Sequence, residues 1–198
     1  MKRLTSIPTA VGLGAIAVYW FAMASMLFTG LKDKSVEPKL TKALPVEPYR
    51  WECPTCSSIE KEALTIFQDR GVTDKLALAT LLGNIKHESQ WKPKVCQGGA
   101  ITGYHGCHTG GFGLIQWTTV GRYDGLGRFA QRYGCDVNSS SCQLRYIFNE
   151  IEWKKAETGF KTPGKTIESY MDNAYTWLGW GILGKRTDYS YNYARQLV

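Results

Sequence analysis

Between Thr73 and Pro93 lies the pattern that most limits how this chain can fold: a helix with an apolar face, ending on a carboxylate. Thr73 is placed to cap the first free amides, and Asp74 falls in the first turn, where a carboxylate is favoured. Leu78, Leu81, Leu82 and Ile85 recur at helical spacing and define the apolar face. Glu88 lies seven residues past Leu81 and three past Ile85, on the edge of that face. Pro93 stops the helix and biases Lys92 towards an extended conformation. A carboxyl group placed there is partly desolvated and near the negative end of the helix dipole. Both effects favour its protonated form and raise its pKa, as a general acid requires. The plainer alternative is a surface glutamate at a frayed helix end.

A second stretch shifts the balance. In Gly110-Gly111-Phe112-Gly113-Leu114-Ile115-Gln116-Trp117-Thr118, three glycines around one Phe allow a tight, cleft-lining turn. Gln116 then sets an amide beside the flat apolar surface of Trp117, a pairing suited to a sugar ring with hydroxyls on its rim and C–H groups on its faces.

Together, Gly83-Asn84-Ile85, Glu88-Ser89, Gly111 to Thr118, Gly121-Arg122 and Leu126 with Phe129-Ala130 resemble the phage tail lysozyme family. More distantly, Glu-Ser with Gly-Leu-Ile-Gln is similar to goose-type lysozymes and soluble lytic transglycosylases. The resemblance spans roughly residues 57–198 and is dense between 80 and 130. It implies a mainly α, lysozyme-like (α+β) fold with a small hairpin or loop region beside the cleft. It also implies a muramidase that cuts the MurNAc–GlcNAc strand of peptidoglycan without a cofactor. Glu88 carries over as the catalytic acid and Gln116 as a cleft residue. Ser89, Gly113, Trp117 and Tyr189 complete the expected substrate contacts. In the C-terminal third no family acid can be placed, and the chain has Trp177-Leu178-Gly179-Trp180-Gly181 there instead.

Composition fits one globular domain with an appendage. Of 198 residues, 43% are hydrophobic and 13% aromatic, ample for a packed core. A formal charge of +7 and a pI near 9.1 predict attraction to polyanions such as a cell wall, anionic lipid or nucleic acid. The cations are scattered rather than clustered, which argues against nucleic acid.

The appendage is N-terminal. Met1-Lys2-Arg3 precedes an uncharged stretch, Leu4 to Leu31, whose apolar part is long enough for the roughly 20 residues a bilayer needs. Ala22-Met23-Ala24 fits a signal-peptidase site, but Met26, Leu27 and Phe28 continue the apolar run. Residues 1–31 are therefore read as an uncleaved transmembrane anchor, with a cleaved signal peptide as the alternative. Residues 32–52, carrying Pro38, Pro45 and Pro48, read as a linker that reaches about 65 Å at most. Residues 53–198 form the expected catalytic domain.

Within it, Ser57 and Glu60 match a capping box ahead of Ala63, Leu64, Ile66 and Phe67, with Gly71 as the stop. Leu126, Phe129, Ala130 and Tyr133 predict a helix ended by Gly134. Ser140 with Gln143 suggests another capping box, before one helix bearing Leu144, Ile147, Phe148 and Ile151. A loop from Gly159 to Gly164 leads to a helix with Ile167, Tyr170, Met171, Ala174 and Leu178. A short last helix covers Asp188 to Val198. Only residues 95–118 look capable of strand.

Six cysteines, Cys53, Cys56, Cys96, Cys107, Cys135 and Cys142, all follow the apolar N-terminus. An even count there reads as a disulfide framework in an oxidising, extracytoplasmic compartment. Neighbours are the economical pairs: Cys53 with Cys56, Cys96 with Cys107, Cys135 with Cys142. The rival is structural zinc on Cys53-Pro54-Thr55-Cys56 with His105, Cys107 and His108, although no second C-x-x-C completes it. His87 reads as a polar wall of the cleft. Trp177, Trp180, Tyr189, Tyr191 and Tyr193 are either sugar platforms or core and rim aromatics.

Two classes of function follow. One is a membrane-tethered peptidoglycan glycosidase, on the periplasmic side or in a virion, partnered by a phage particle or an envelope-spanning machine. The other is a non-catalytic wall-binding or virion structural protein. For the enzyme, Asp124 and Asp136 are the only acids near the motifs, and neither is spaced to face Glu88. Glu88 is expected to act largely alone. Either water attacks, or the sugar's own 6-hydroxyl does and leaves a 1,6-anhydro end as in a lytic transglycosylase. Hydrolysis is preferred.

Overall fold

The computed structural model describes residues 49–107 and 110–198. The apolar N-terminal segment, most of the linker and His108 lie outside the described residues. Among the described residues no helix is long and apolar enough to cross a membrane.

The described chain is mainly helical. Its seven helices are α1 Ser58–Asp69, α2 Lys75–Ser89, α3 Val120–Tyr133, α4 Ser140–Ile147, α5 Ile151–Lys161, α6 Ile167–Leu178 and α7 Arg186–Gln196. Between α2 and α3 the expected hairpin reduces to two isolated antiparallel bridges, Val95 with Ile101 and Cys96 with Phe112. Glycine-rich turns there leave too few consecutive extended residues for a ladder.

Helix α2 is the buried axis. Ten of its 15 residues are buried, so it is covered on nearly every side and not only along its leucine stripe. Small residues make this possible. A Cβ on Gly83 would lie 2.5 Å from the backbone nitrogen of Ser190, so α7 packs on α2 at a separation only glycine allows. Helix α6 covers another side of α2 and also packs on α5. Trp153, Phe160 and Tyr170 stack in sequence, and Trp177 meets Trp153 edge-on. Backbone hydrogen bonds between Glu52 and Val198, at 2.9 and 3.0 Å, join the two ends of the described domain.

Several local expectations change. Asp74, not Thr73, caps α2, because its carboxylate accepts from the amides of both Leu76 and Ala77. The single helix expected across Leu144 to Ile151 is two: α4 ends at Ile147, α5 starts at Ile151, and Ile151 itself is exposed. Ser139, not Ser140, caps α4. Gln143 is buried and turns away from the cap. Its Nε2 donates to the carbonyls of Pro93 and Val137, and its Oε1 accepts from the amide of Leu114. Gly159, expected in a loop, is inside α5, where a Cβ would collide with Asn173 of α6. The capping box of Ser57 and Glu60 and the stop at Gly134 appear as expected.

Disulfides join Cys53 to Cys56, Cys96 to Cys107 and Cys135 to Cys142, the sequence-neighbour pairs. The C-x-x-C thiols are therefore consumed by a bridge and offer no zinc ligands. Among the described residues no cluster could hold a metal ion.

Gly83→Ala separates packing from propensity. Alanine favours an isolated helix by about 1 kcal/mol, but pushing α2 from α7 costs about 1–3 kcal/mol as overpacking does. Urea unfolding should show a net loss of stability. A gain would refute the close approach.

Candidate active site

Glu88 is the penultimate residue of α2, and the chain turns sharply just after it. Gln90 and Trp91 both adopt left-handed backbone conformations, with φ of 51° and 61°. Ser89 supports this turn: its hydroxyl donates to the carbonyl of Ile85 and accepts from the amide of Trp91. Gln116 is the third described non-glycine residue with positive φ, at 51°. Each such residue stores of the order of 1 kcal/mol or more, and strained residues gather where function needs a fixed geometry.

Glu88 and Gln116 share one cavity of about 450 Å³, lined also by His87, Ser89, Lys92, Arg186 and the turn from Val95 to Gly99. Gln116 Nε2 donates to the carbonyls of Gly113, at 2.9 Å, and Val95, at 3.3 Å. Both amide hydrogens are thus held by backbone, which aims Oε1 as an acceptor. Cys96 also lines this cavity, so the Cys96–Cys107 bridge anchors its wall.

The carboxylate of Glu88 is 14% exposed and accepts a hydrogen bond from Arg186 Nη2. Sequence reasoning missed this partner, which lies 98 residues away at the start of α7. The Arg186 side chain is 5% exposed. Its Nη1 donates to the carbonyls of Ile182 and Leu183 at 3.1 Å each, and its guanidinium lies 4.7 Å from the ring centre of Trp180. Burial pushes the Glu88 carboxyl above its ordinary value, and this outweighs the opposing pull of Arg186 and of the more distant Arg122. Burial, reinforced by Arg186, holds His87 below its ordinary value, so it adds no charge to the cavity at neutral pH.

Trp117 is not a sugar platform. It is fully buried, and its Nε1 donates to Glu150 Oε1 at 2.8 Å. Glu150 is gripped at both oxygens by Arg122, at 2.8 and 3.0 Å. The indole therefore completes a buried ion pair, an arrangement for which a donor at the end of a large apolar ring is well suited. Gly113 is also buried and shapes the turn, φ 73°, against the amide of Gln143; it does not line the cavity. Tyr189 is half-buried, with its ring 6.3 Å from that of His87 at the edge of the site. Trp177 and Tyr193 are core residues. Tyr193 accepts from Trp91 Nε1 and donates to Glu60. Burial alone would push the Glu60 carboxyl up, but hydrogen bonds from Ser57 and Tyr193 hold it below its ordinary value.

Asp124 and Asp136 line a different, larger cavity of about 730 Å³ with Tyr104, His105 and Arg128. Glu88 is the carboxyl group that lines its own cavity among the described residues. Buried, and with its proton affinity raised by that burial, it has the chemistry to deliver a proton to a bound polar atom and take one back. The family model for phage tail lysozyme matches residues 58–194 of the chain. No curated protein matches it.

Trp117→Phe tests the reassignment of the indole. It removes one donor from buried Glu150 and should cost about 1–3 kcal/mol of stability, with KM for murein glycan unchanged. A rise in KM of about tenfold, equivalent to about 1.4 kcal/mol of binding, would restore the platform role.

Proposed function

The chain belongs to the phage tail lysozyme family, and from this we propose that it cleaves the MurNAc–GlcNAc strand of peptidoglycan with Glu88 as the general acid. Gln116 orients the reacting groups. The carrying observation is that Glu88 sits buried at the end of α2 in a cavity shared with Gln116, where burial favours its protonated form.

Protonated Glu88 donates to the glycosidic oxygen as the bond to the anomeric carbon breaks. The departing sugar leaves with a hydroxyl, and positive charge develops on the remaining ring. Water then adds to the anomeric carbon, guided by Gln116 Oε1, and its surplus proton restores Glu88. Among the described residues no second carboxyl group lines this cavity, which favours a second reading, in which the 6-hydroxyl of the same sugar attacks and forms a 1,6-anhydro end. We take hydrolysis as the principal reaction. In this reading residues 1–31 tether the enzyme to a membrane through the linker, and the catalytic domain acts on the extracytoplasmic side or from a virion.

Glu88→Gln should lose at least about two orders of magnitude of murein cleavage. The amide oxygen can still accept from Arg186, so the variant should fold. Glu88→Ala leaves the guanidinium buried without that partner and should cost about 3–5 kcal/mol as well. Activity of Glu88→Gln within about tenfold of the parent would sink the assignment.

The pH profile supplies a second check. A general acid works while protonated, so activity should be present at low pH and fall as pH rises through the Glu88 midpoint. That midpoint lies above 4.5, the ordinary glutamate value, because burial raises it. A descending limb below 4.5 would contradict the burial argument. Mass spectrometry of the muropeptides distinguishes the two reactions, since the anhydro product lacks one water.

A further inference from the structure

The cavity around Glu88 is richer in cations than the acid alone requires. Arg186 and Lys92 both line it, against the one carboxylate of Glu88. Lys92 is exposed and forms no ion pair among the described residues. Arg186 is more unusual. Its Nη1 and Nη2 are engaged, but its Nε is buried with no hydrogen-bond partner among the described residues. A guanidinium is built to grip a carboxylate through two parallel N–H groups, whereas Glu88 takes a hydrogen bond from Nη2 alone. The guanidinium carbon lies 4.7 Å from the ring centre of Trp180, and Nη1 is held by the carbonyls of Ile182 and Leu183, so these contacts keep the group in place while Nη2 and Nε change partner.

We propose that this cleft reads a carboxylate on its substrate, and that the carboxylate binds Arg186 in exchange for Glu88. Given the glycosidase reading, on which this rests, the ligand class is a glycan strand bearing acidic side groups. A lactyl ether or stem-peptide carboxylate beside the scissile bond would serve, with Lys92 as the outer contact.

The exchange changes the proton affinity of Glu88. In the free protein burial favours the proton, while the Arg186 charge, the Arg186 hydrogen bond and the Arg122 charge disfavour it. Moving Arg186 onto the substrate cancels its two contributions and leaves burial opposed by Arg122 alone. The other charged groups do not replace it. Arg122 stays committed to Glu150, His87 is neutral and Lys92 is exposed. Glu88 therefore holds its proton to higher pH once an acidic strand is bound. Substrate recognition and acid activation become one event, and a neutral polysaccharide would leave the acid paired.

The test compares two substrates on the full-length chain: glycan strands with free carboxylates, and the same strands capped as methylamides. Capping should lower kcat/KM by at least about tenfold, the scale expected when a charge-assisted hydrogen bond is lost. It should also move the descending limb of the kcat profile to lower pH. In Arg186→Met most of the discrimination between the two strands should be lost, leaving only what Lys92 supplies, with coincident limbs at the higher pH. Arg186→Lys retains a charge without the fork and should narrow the discrimination, which keeps the test open if the methionine variant does not fold. Equal kcat/KM and coincident limbs for free and capped strands in the parent protein would overturn the exchange while leaving Glu88 as the acid. Cleavage of neither strand would overturn the glycosidase reading and the exchange with it.

Discussion

The close packing of α7 on α2 is the constraint on which the site depends. Gly83 gives α2 no side chain where the backbone of Ser190 passes, and a Cβ there would lie 2.5 Å from the Ser190 nitrogen. One and a half turns further along α2 is Glu88, and one turn earlier on α7 is Arg186, at the helix's first position. Their hydrogen bond is thus set by the spacing of two helix axes, not by a flexible loop. Since rigid elements hold side chains more accurately than loops do, Glu88 and Arg186 inherit the precision of the core.

Burial is what makes these carboxyl groups distinct. Glu60, Glu88 and Glu150 are all withdrawn from water, yet the direction of shift differs with whether burial or the donors prevail. Glu60 collects hydrogen bonds from Ser57 and Tyr193 and stays below its ordinary value. Burial prevails for Glu150, although Arg122 and Trp117 both donate to it, and for Glu88, which has Arg186 alone as a direct partner. Only Glu88 opens onto the cavity shared with Gln116. Removing a charge from water costs free energy that an ion pair recovers only in part. A half-compensated carboxyl facing a cleft is therefore better explained by proton transfer than by stability.

Much of this was legible in the sequence because it is local. The leucine period of α2, the capping box of Ser57 with Glu60, the stop at Gly134 and the neighbour pairing of cysteines all depend on residues a few positions apart. Glu88 could be singled out by its place on the helix edge. What escaped was tertiary. Arg186 follows Gly184-Lys185 with nothing local to mark it, and only folding brings it to Glu88. Trp117 follows Gln116 directly, yet the left-handed turn at Gln116 sends the amide to the cavity and the indole into the core. Gln143 looked like a capping residue because its spacing from Ser140 allowed it, but three loop backbone groups claimed its amide.

The same turn geometry explains how a site with one lining carboxyl group can be specific. Of the three described left-handed non-glycine residues, Gln90 and Gln116 line the cavity with Glu88 and Trp91 follows Gln90 directly, and each conformation must be over-determined by its neighbours to persist. Trp91 is pinned through Tyr193 to Glu60 of α1. Gln116 is pinned through Gly113 and Val95 to a wall closed by the Cys96–Cys107 bridge. The residues around the cavity are thus referenced to α1, to α7 and to a disulfide, while Glu88 is referenced to α2. With its partners fixed from separate directions, one carboxyl group can meet a bound strand in a defined orientation. In the proposed reaction a second is then unnecessary for placement, and the chemistry would draw on the proton affinity that burial raises at Glu88.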